Sequence, residues 1–378
     1  MKFTKLSLIA ILAVSSALAG ESTISGDAKV FYGTDDAGEQ DLFNKNGAYG
    51  NAAVSLDYSK EIATNISLNA GITGISTLGL ENTLVSGVWA GAGKTGLNDT
   101  VWIDVANITA KFGNTTAIIG RQKLDTPLAF TETWNIVENT FDAFTFVNSD
   151  IKDTTLVASV VTRANGFVNF TNVQGGMTDL DEAIYAFGAS TKLIPNVTAQ
   201  AWYYNSAGGN NALWTQADAT INGGITLGAQ YGKIMAEEGE DSSILSAKVG
   251  YEANKMSFYA AYSQADEDGQ SDFTNAAGYG GSPVYTEAWW NFGYVTNPNA
   301  QAIALGASYD LGSVALGAQY TTVTNDTSAF DEMDEITLTA DTTLAGVDTS
   351  FALVNTSTEN EASDGNSVQV YLTVPFSL

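Results

Sequence analysis

Cysteine and histidine are both missing from this sequence, and arginine occurs only at Arg121 and Arg163. Without thiols or imidazoles the chain has no disulfide scaffold, no thiolate or imidazole metal site, and no Ser-His-Asp or Cys-His triad. Proline is scarce, with 5 in 378 residues. No apolar run reaches the ~20 residues that a membrane-spanning helix needs. Positive charge is short as well: 15 Lys+Arg stand against 42 Asp+Glu, a formal net charge of −27. Such a balance argues against a nucleic-acid partner, because a polyanion would be repelled. Aromatic residues are not short. At 11% they are too many for a disordered acidic chain, and 37 glycines accompany them.

The first residues read as an address. Lys2 and Lys5 give a basic start, Leu6 to Val14 form a short apolar run, and Ala17-Leu18-Ala19 offers a small-residue cleavage site. That layout predicts a secretory signal peptide over 1–19 and a mature single domain over 20–378.

Beyond it, apolar and polar residues alternate. Ile24, Gly26, Ala28, Val30 and Tyr32 share one face, with Ser25, Asp27, Lys29 and Phe31 between them. The same parity recurs in Ala52-Val54-Leu56-Tyr58, Ile225-Leu227-Ala229-Tyr231 and Ile303-Leu305-Ala307-Tyr309, among others. A period of two is that of a strand with unlike faces. Eighteen such segments can be placed, or sixteen if one hairpin is merged. Short turns alternate with long connections at 34–48, 75–98, 124–142, 164–182, 234–242 and 264–300. This pattern predicts an all-β fold, a transmembrane antiparallel β-barrel with short periplasmic turns and long extracellular loops. Closure is required because hydrocarbon offers no partner to an unpaired strand edge. Tyr32, Tyr203, Tyr231, Tyr262 and Tyr320 fall near upper strand ends, and Tyr58, Tyr251 and Tyr309 near lower ones. All lie on the apolar face, as two aromatic girdles would. Val368, Val370, Leu372, Val374, Phe376 and Leu378 carry the alternation to the last residue, so the final strand is expected to seal against the first.

The run Gly120-Arg121-Gln122-Lys123-Leu124-Asp125-Thr126-Pro127-Leu128, followed by Asn139-Thr140-Phe141-Asp142-Ala143-Phe144, resembles the fifth strand, third loop and sixth strand of bacterial general porins. The nearest resemblance is to the eighteen-stranded major outer membrane porins of Campylobacter-like bacteria and the related OprD-type channels. It implies a third loop folded into the lumen and a homotrimer set among outer-membrane lipid and lipopolysaccharide. It also implies passage of small hydrophilic solutes.

A pore does no bond chemistry, so its candidate sites are charges around a constriction. Arg121 and Lys123 on the wall would face Asp125, Glu132, Glu138 and Asp142 of the third loop, setting a transverse field that sorts solutes by charge. Alternation alone puts Arg121 and Lys123 on the apolar face with Ala117 and Ile119. The resemblance, and the ~2–4 kcal/mol cost of a lipid-facing base at midplane, place them inside. Lys29, Asp57, Asp104, Lys111, Asp218 and Lys248 have inward parity and are expected to line the pore. Acids such as Glu237, Glu238, Glu240 and Asp241 crowd the outer loops, which suggests a weak preference for cations. No cofactor is called for, although Asp266-Glu267-Asp268-Gly269 with Asp272 faintly resembles part of a calcium loop. The leading expectation is passive diffusion of small hydrophilic solutes. An OprD-type selective channel and a barrel adhesin are the alternatives. An enzyme is not expected, because no nucleophile and base stand out.

Overall fold

The computed structural model describes residues 22–86, 99–134, 136–165, 177–207, 209–221, 223–276, 278, 280–327, 330–359, 361 and 364–378. The expected signal peptide lies outside the described residues. Strands dominate: β1 (Ser22–Asp35), β2 (Ala48–Ala63), β3 (Ile66–Ser76), β4 (Thr100–Phe112) and β5 (Thr115–Gln122) come first. A small hairpin follows, β6 (Asp125–Thr126) with β7 (Ala129–Phe130), lying within a loop and forming its own sheet. Then come β8 (Phe141–Asn148), β9 (Thr154–Ala164), β10 (Thr178–Thr191), β11 (Val197–Ser206), β12 (Asn211–Ile221), β13 (Ile225–Met235) and β14 (Ser242–Ala253). The chain finishes with β15 (Met256–Ala265), β16 (Gln301–Asp310), β17 (Val314–Thr324), β18 (Met333–Leu344), β19 (Val347–Thr358) and β20 (Gly365–Ser377).

Leaving out the hairpin, eighteen strands form one sheet, each antiparallel to its sequence neighbours. β20 pairs with β1 from Ser25↔Ser377 to Asp35↔Ser367, so the sheet closes on itself. The strand number is eighteen rather than sixteen, because no hairpin merges. Closure leaves every strand paired on both sides, which is the condition hydrocarbon imposes.

The turns at one end are short because their residues suit them. Asn65, Asn196 and Asn254 take positive φ values of 62°, 62° and 54°. Asparagine tolerates the left-handed region that tight antiparallel turns demand.

Alternation sorts the side chains as predicted. Ile72, Ile103, Leu245, Leu305 and Leu353 lie exposed on the outer face, and so do Tyr203, Tyr251, Tyr262 and Tyr309 at 41–47%. The inner face carries buried Asn51, Thr73, Gln216, Gln230, Ser263, Thr321 and Gln369. It also carries large aromatics, among them Phe31, Tyr49, Trp102, Trp202 and Trp214. These would be misplaced in an open water-filled tube. They are buried because inward loops cover them: Ile136 and Val137 pack with Phe31, Tyr49, Trp102 and Tyr371. Across the lumen, Leu128, Phe273 and Val284 pack with Trp202, Tyr204 and Trp214.

Bulges shift this alternation at two places that matter for the site. On β4, Gly71 faces Val105 and Ile72 faces Ile103, so Asp104 is the extra residue. On β9, Asp142 faces Arg163 and Ala143 faces Val161, so Thr162 is extra. Bulges of this kind re-aim side chains.

Candidate functional site

Among the described residues two loops enter the barrel, one between β5 and β8 and the other between β15 and β16. The first folds on itself through Asn139, whose Oδ1 accepts from the Glu132 N–H at 2.7 Å and whose Nδ2 donates to the Phe130 carbonyl at 3.0 Å. The Leu128 N–H reaches β11, three strands beyond β8, donating to the Tyr204 hydroxyl at 3.2 Å. Glu132 accepts from the Trp134 indole N–H at 2.6 Å.

The second loop is longer and reaches deeper. The Tyr285 hydroxyl donates to Asp218 Oδ1 at 2.7 Å, and Lys248 Nζ sits 4.1 Å above the Tyr285 ring. Gln230 of β13 brackets the same segment, donating to the Pro283 carbonyl at 2.8 Å and accepting from the Tyr285 N–H at 3.1 Å. Five strands further round from β13, Glu335 of β18, 1% exposed, gathers three successive backbone donors. The Trp289, Trp290 and Asn291 N–H groups approach its oxygens at 2.7, 3.1 and 2.8 Å. Asn291 Nδ2 adds a fourth contact at 2.8 Å.

The loops are knitted to each other. Asn275 Nδ2 donates to the Phe130 carbonyl at 2.6 Å and to Glu132 Oε1 at 2.9 Å, while its Oδ1 accepts from the Phe130 N–H at 3.0 Å. Trp134 meets Trp290 edge-on at 5.9 Å and Phe292 at 4.8 Å. Together they make a cross-piece inside the ring, anchored on several strands.

The sequence-predicted residues divide between the two faces. Lys123 pairs with Glu138 inside the barrel. Glu138 raises the Lys123 pKa more than burial lowers it, so this ammonium is held well above its ordinary value. Burial raises the Glu138 carboxyl, but Lys123 and Lys29 outweigh it and hold the group low. Glu132 is buried at the junction of the loops, and Asp125 lies in the hairpin. Lys29, Asp57, Asp104, Lys111, Asp218 and Lys248 lie on the inner face, with Lys29 3.4 Å from Asp27 and Lys248 3.8 Å from Asp218.

Arg121 and Asp142, expected at the constriction, are not there. Arg121 faces Asp142 in the same register that pairs exposed Ile119 with exposed Phe144, so both point outward. Arg121 Nε donates to Asp142 Oδ1 at 2.9 Å, Arg163 Nη2 approaches Asp142 Oδ2 at 2.6 Å, and Arg121 Nη1 donates to the Ile103 carbonyl at 2.6 Å. Mutual neutralisation and hydrogen bonding lower the cost of charge on that face. Parity, rather than the penalty for a lone base, settles their position. Both arginines of the chain are therefore outside the lumen.

The second loop was not foreseen as a constriction. Its length and its Trp289-Trp290 pair were the only signals. Its first residues, weighed as a calcium loop, turn to local donors instead. Asp266 accepts from Ser243 Oγ and the Asp268 N–H, and Asp272 from Thr274. Among the described residues no three acidic side chains converge as a metal site would need.

No family model matches the chain, and no curated protein matches it. Solved structures do. OpdK of Pseudomonas aeruginosa, crystallised with vanillate, superposes with a TM-score of 0.77 at 15% identity, over 95% of this chain and 99% of its own. A BenF-like porin of Pseudomonas fluorescens Pf-5 gives 0.78 at 12% identity, over 96% and 100%. OccAB1 of Acinetobacter baumannii gives 0.76 at 15%, over 96% and 98%. The chain shares the eighteen-stranded barrel of these proteins from end to end.

Proposed function

We propose that this chain is an outer-membrane channel for small hydrophilic solutes, selective in the OprD manner rather than an open diffusion pore. The observation that carries this is the pair of loops bonded to each other through Asn275 and Glu132 inside a closed ring of strands. A single inward loop narrows a tube; two joined across it force solutes past specific side chains. The structural neighbours, which include a channel solved with vanillate, support selectivity over free diffusion. Kinship with the major porins of Campylobacter-like bacteria belongs to the same proposal. So do short turns on the periplasmic side, contact with lipid and lipopolysaccharide, and assembly as a homotrimer. The exposed apolar outer face supports the lipid contact.

The charge preference we propose is for cations. The inner wall carries Lys29, Lys111 and Lys248 against Asp27, Asp57, Asp104, Asp218 and Glu335, and the only two arginines lie outside. A carboxylate such as vanillate would find no arginine ladder here, and low-dielectric walls focus the acidic field. Planar-bilayer recording of the refolded full chain tests both parts. Discrete conductance steps with a cation-selective reversal potential are expected. A sealed barrel, or an anion preference, would overturn the corresponding part.

A further inference from the structure

Midway along the inner wall, beside the first loop, three neighbouring strands bring two carboxylates together around a glycine. Asp57 of β2 lies directly opposite Gly71 of β3, and the β4 bulge turns Asp104 in beside them. A Cβ added to Gly71 would sit 2.5 Å from Asp104 Oδ1 and 2.8 Å from Asp57 Oδ1. Glycine therefore lets two carboxylate oxygens close in over its α-carbon, nearer than any side chain would allow. Asp104 is 9% exposed; its Oδ2 accepts from Thr73 Oγ1 at 2.5 Å, while Oδ1 is buried and has no hydrogen-bond partner. A buried anionic oxygen without a partner is costly and calls for an explanation.

The surrounding charges do not cancel it: Lys123 attracts both carboxylates but is bonded elsewhere. Lys29, Asp27, Lys123 and Glu138 complete the neighbourhood of Asp57 and Asp104. Lys29 is paired with Asp27, whose other oxygen accepts from Ser55, and Lys123 is paired with Glu138. Each ammonium already has its own carboxylate. The surplus negative charge falls on Asp57 and Asp104, on either side of Gly71.

We propose that Asp57 and Asp104 form, across Gly71, a binding site for one small monovalent cation, either an alkali ion or the primary ammonium group of a permeating solute. Cation–carboxylate contact would satisfy the orphaned Oδ1, and the glycine is what lets the two carboxylates converge on one ion. Such a site deepens the proposed cation preference, and access to it from the lumen rests on the channel reading.

The test compares the full-length barrel in potassium chloride, methylammonium chloride and choline chloride at equal ionic strength, so that general screening is constant. The readout is the temperature at which the compact, heat-modifiable form is lost. Choline has no N–H, and its three methyl groups keep its charge farther from a carboxylate oxygen than potassium or a primary ammonium can come. The wild-type barrel is expected to melt at least about 2 °C higher in potassium or methylammonium than in choline. The larger of the two shifts identifies alkali ion or ammonium as the occupant. Asp104→Asn removes one charge, Gly71→Ala forces the two carboxylates apart, and Asp57→Asn is a second charge variant should either fail to fold. Each should lose the difference. Equal melting of the wild type in all three salts would overturn the site. So would a difference that survives in these variants, or one that follows pH and not the cation, as a proton shared by the two carboxylates would give. Bilayer recording separates the two proposals: a barrel that passes no current yet keeps the potassium shift retains the site and loses the channel. Current without any cation-dependent shift does the reverse.

Discussion

At the scale of single residues, Glu335 shows how one side chain can hold a loop. Its two oxygens accept from the Trp289, Trp290 and Asn291 backbone, positions where the loop has no sheet partner of its own. Glu335→Ala would orphan these donors at about 1–3 kcal/mol for each that stays buried. The segment is then expected to leave the wall, seen as larger or noisier single-channel conductance. Glu335→Gln keeps an acceptor oxygen and should show a smaller change. Glu287 is a second case. Burial pushes its carboxyl up to about 8, against the N–H groups of Ser282, Gly293 and Ala288 that favour ionisation. The folded value lies above the ordinary 4.5, so the folded loop holds the proton more tightly than the unfolded chain. Its stabilisation is complete below 4.5 and is lost as pH rises to about 8. Open-channel noise should therefore grow between pH 6 and pH 8.5, and Glu287→Gln should flatten that profile. Noise that rises equally in the variant would refute this assignment.

At the scale of elements, strand alternation leaves small residues under large ones on the inner face. A Cβ on Gly188 of β10 would stand 2.2 Å from the Trp202 indole of β11, and one on Gly306 of β16 would stand 1.9 Å from the Tyr259 ring of β15. These glycines let an aromatic plane lie flat across the neighbouring strand instead of standing up into the lumen. Gly188→Val is expected to lift Trp202 and disturb its packing with Leu128 and Tyr204, costing about 1–3 kcal/mol as overpacking usually does. A lower heat-modification temperature together with altered Trp fluorescence would register the change. No shift in either would mean that β10 yields freely.

For the molecule as a whole, the governing condition is closure. β20 covers β1 along eleven registered pairs and also pairs with β19. Removing 365–378 exposes two strand edges at once, and hydrocarbon leaves each unpaired peptide group at a cost of several kcal/mol. The truncated chain is expected to give no heat-resistant compact band after refolding into detergent. Recovery of such a band would show that seventeen strands can reseal.

The strand pattern, the long and short connections, the outward tyrosines and the sealing C-terminal segment were all legible from residue order. A period of two states which side of a sheet each residue faces, and that information is local. The same rule already placed Arg121 on the apolar face. The resemblance and the penalty for an isolated base argued otherwise, because neither could know that Arg121, Asp142 and Arg163 meet across three strands. Only the tertiary structure decided that the 266–300 loop turns inward, that Glu335 and Asp218 hold it, and that Asn275 ties it to Phe130 and Glu132. The partners in these contacts lie tens to more than a hundred residues apart, with no common period. Their meeting is fixed by the closed curvature of the sheet. The inward parity of Asp104 was legible too; what only the pairing of β3 with β4 decided is the bulge there, which puts Asp104 and Asn107 on the same inner face.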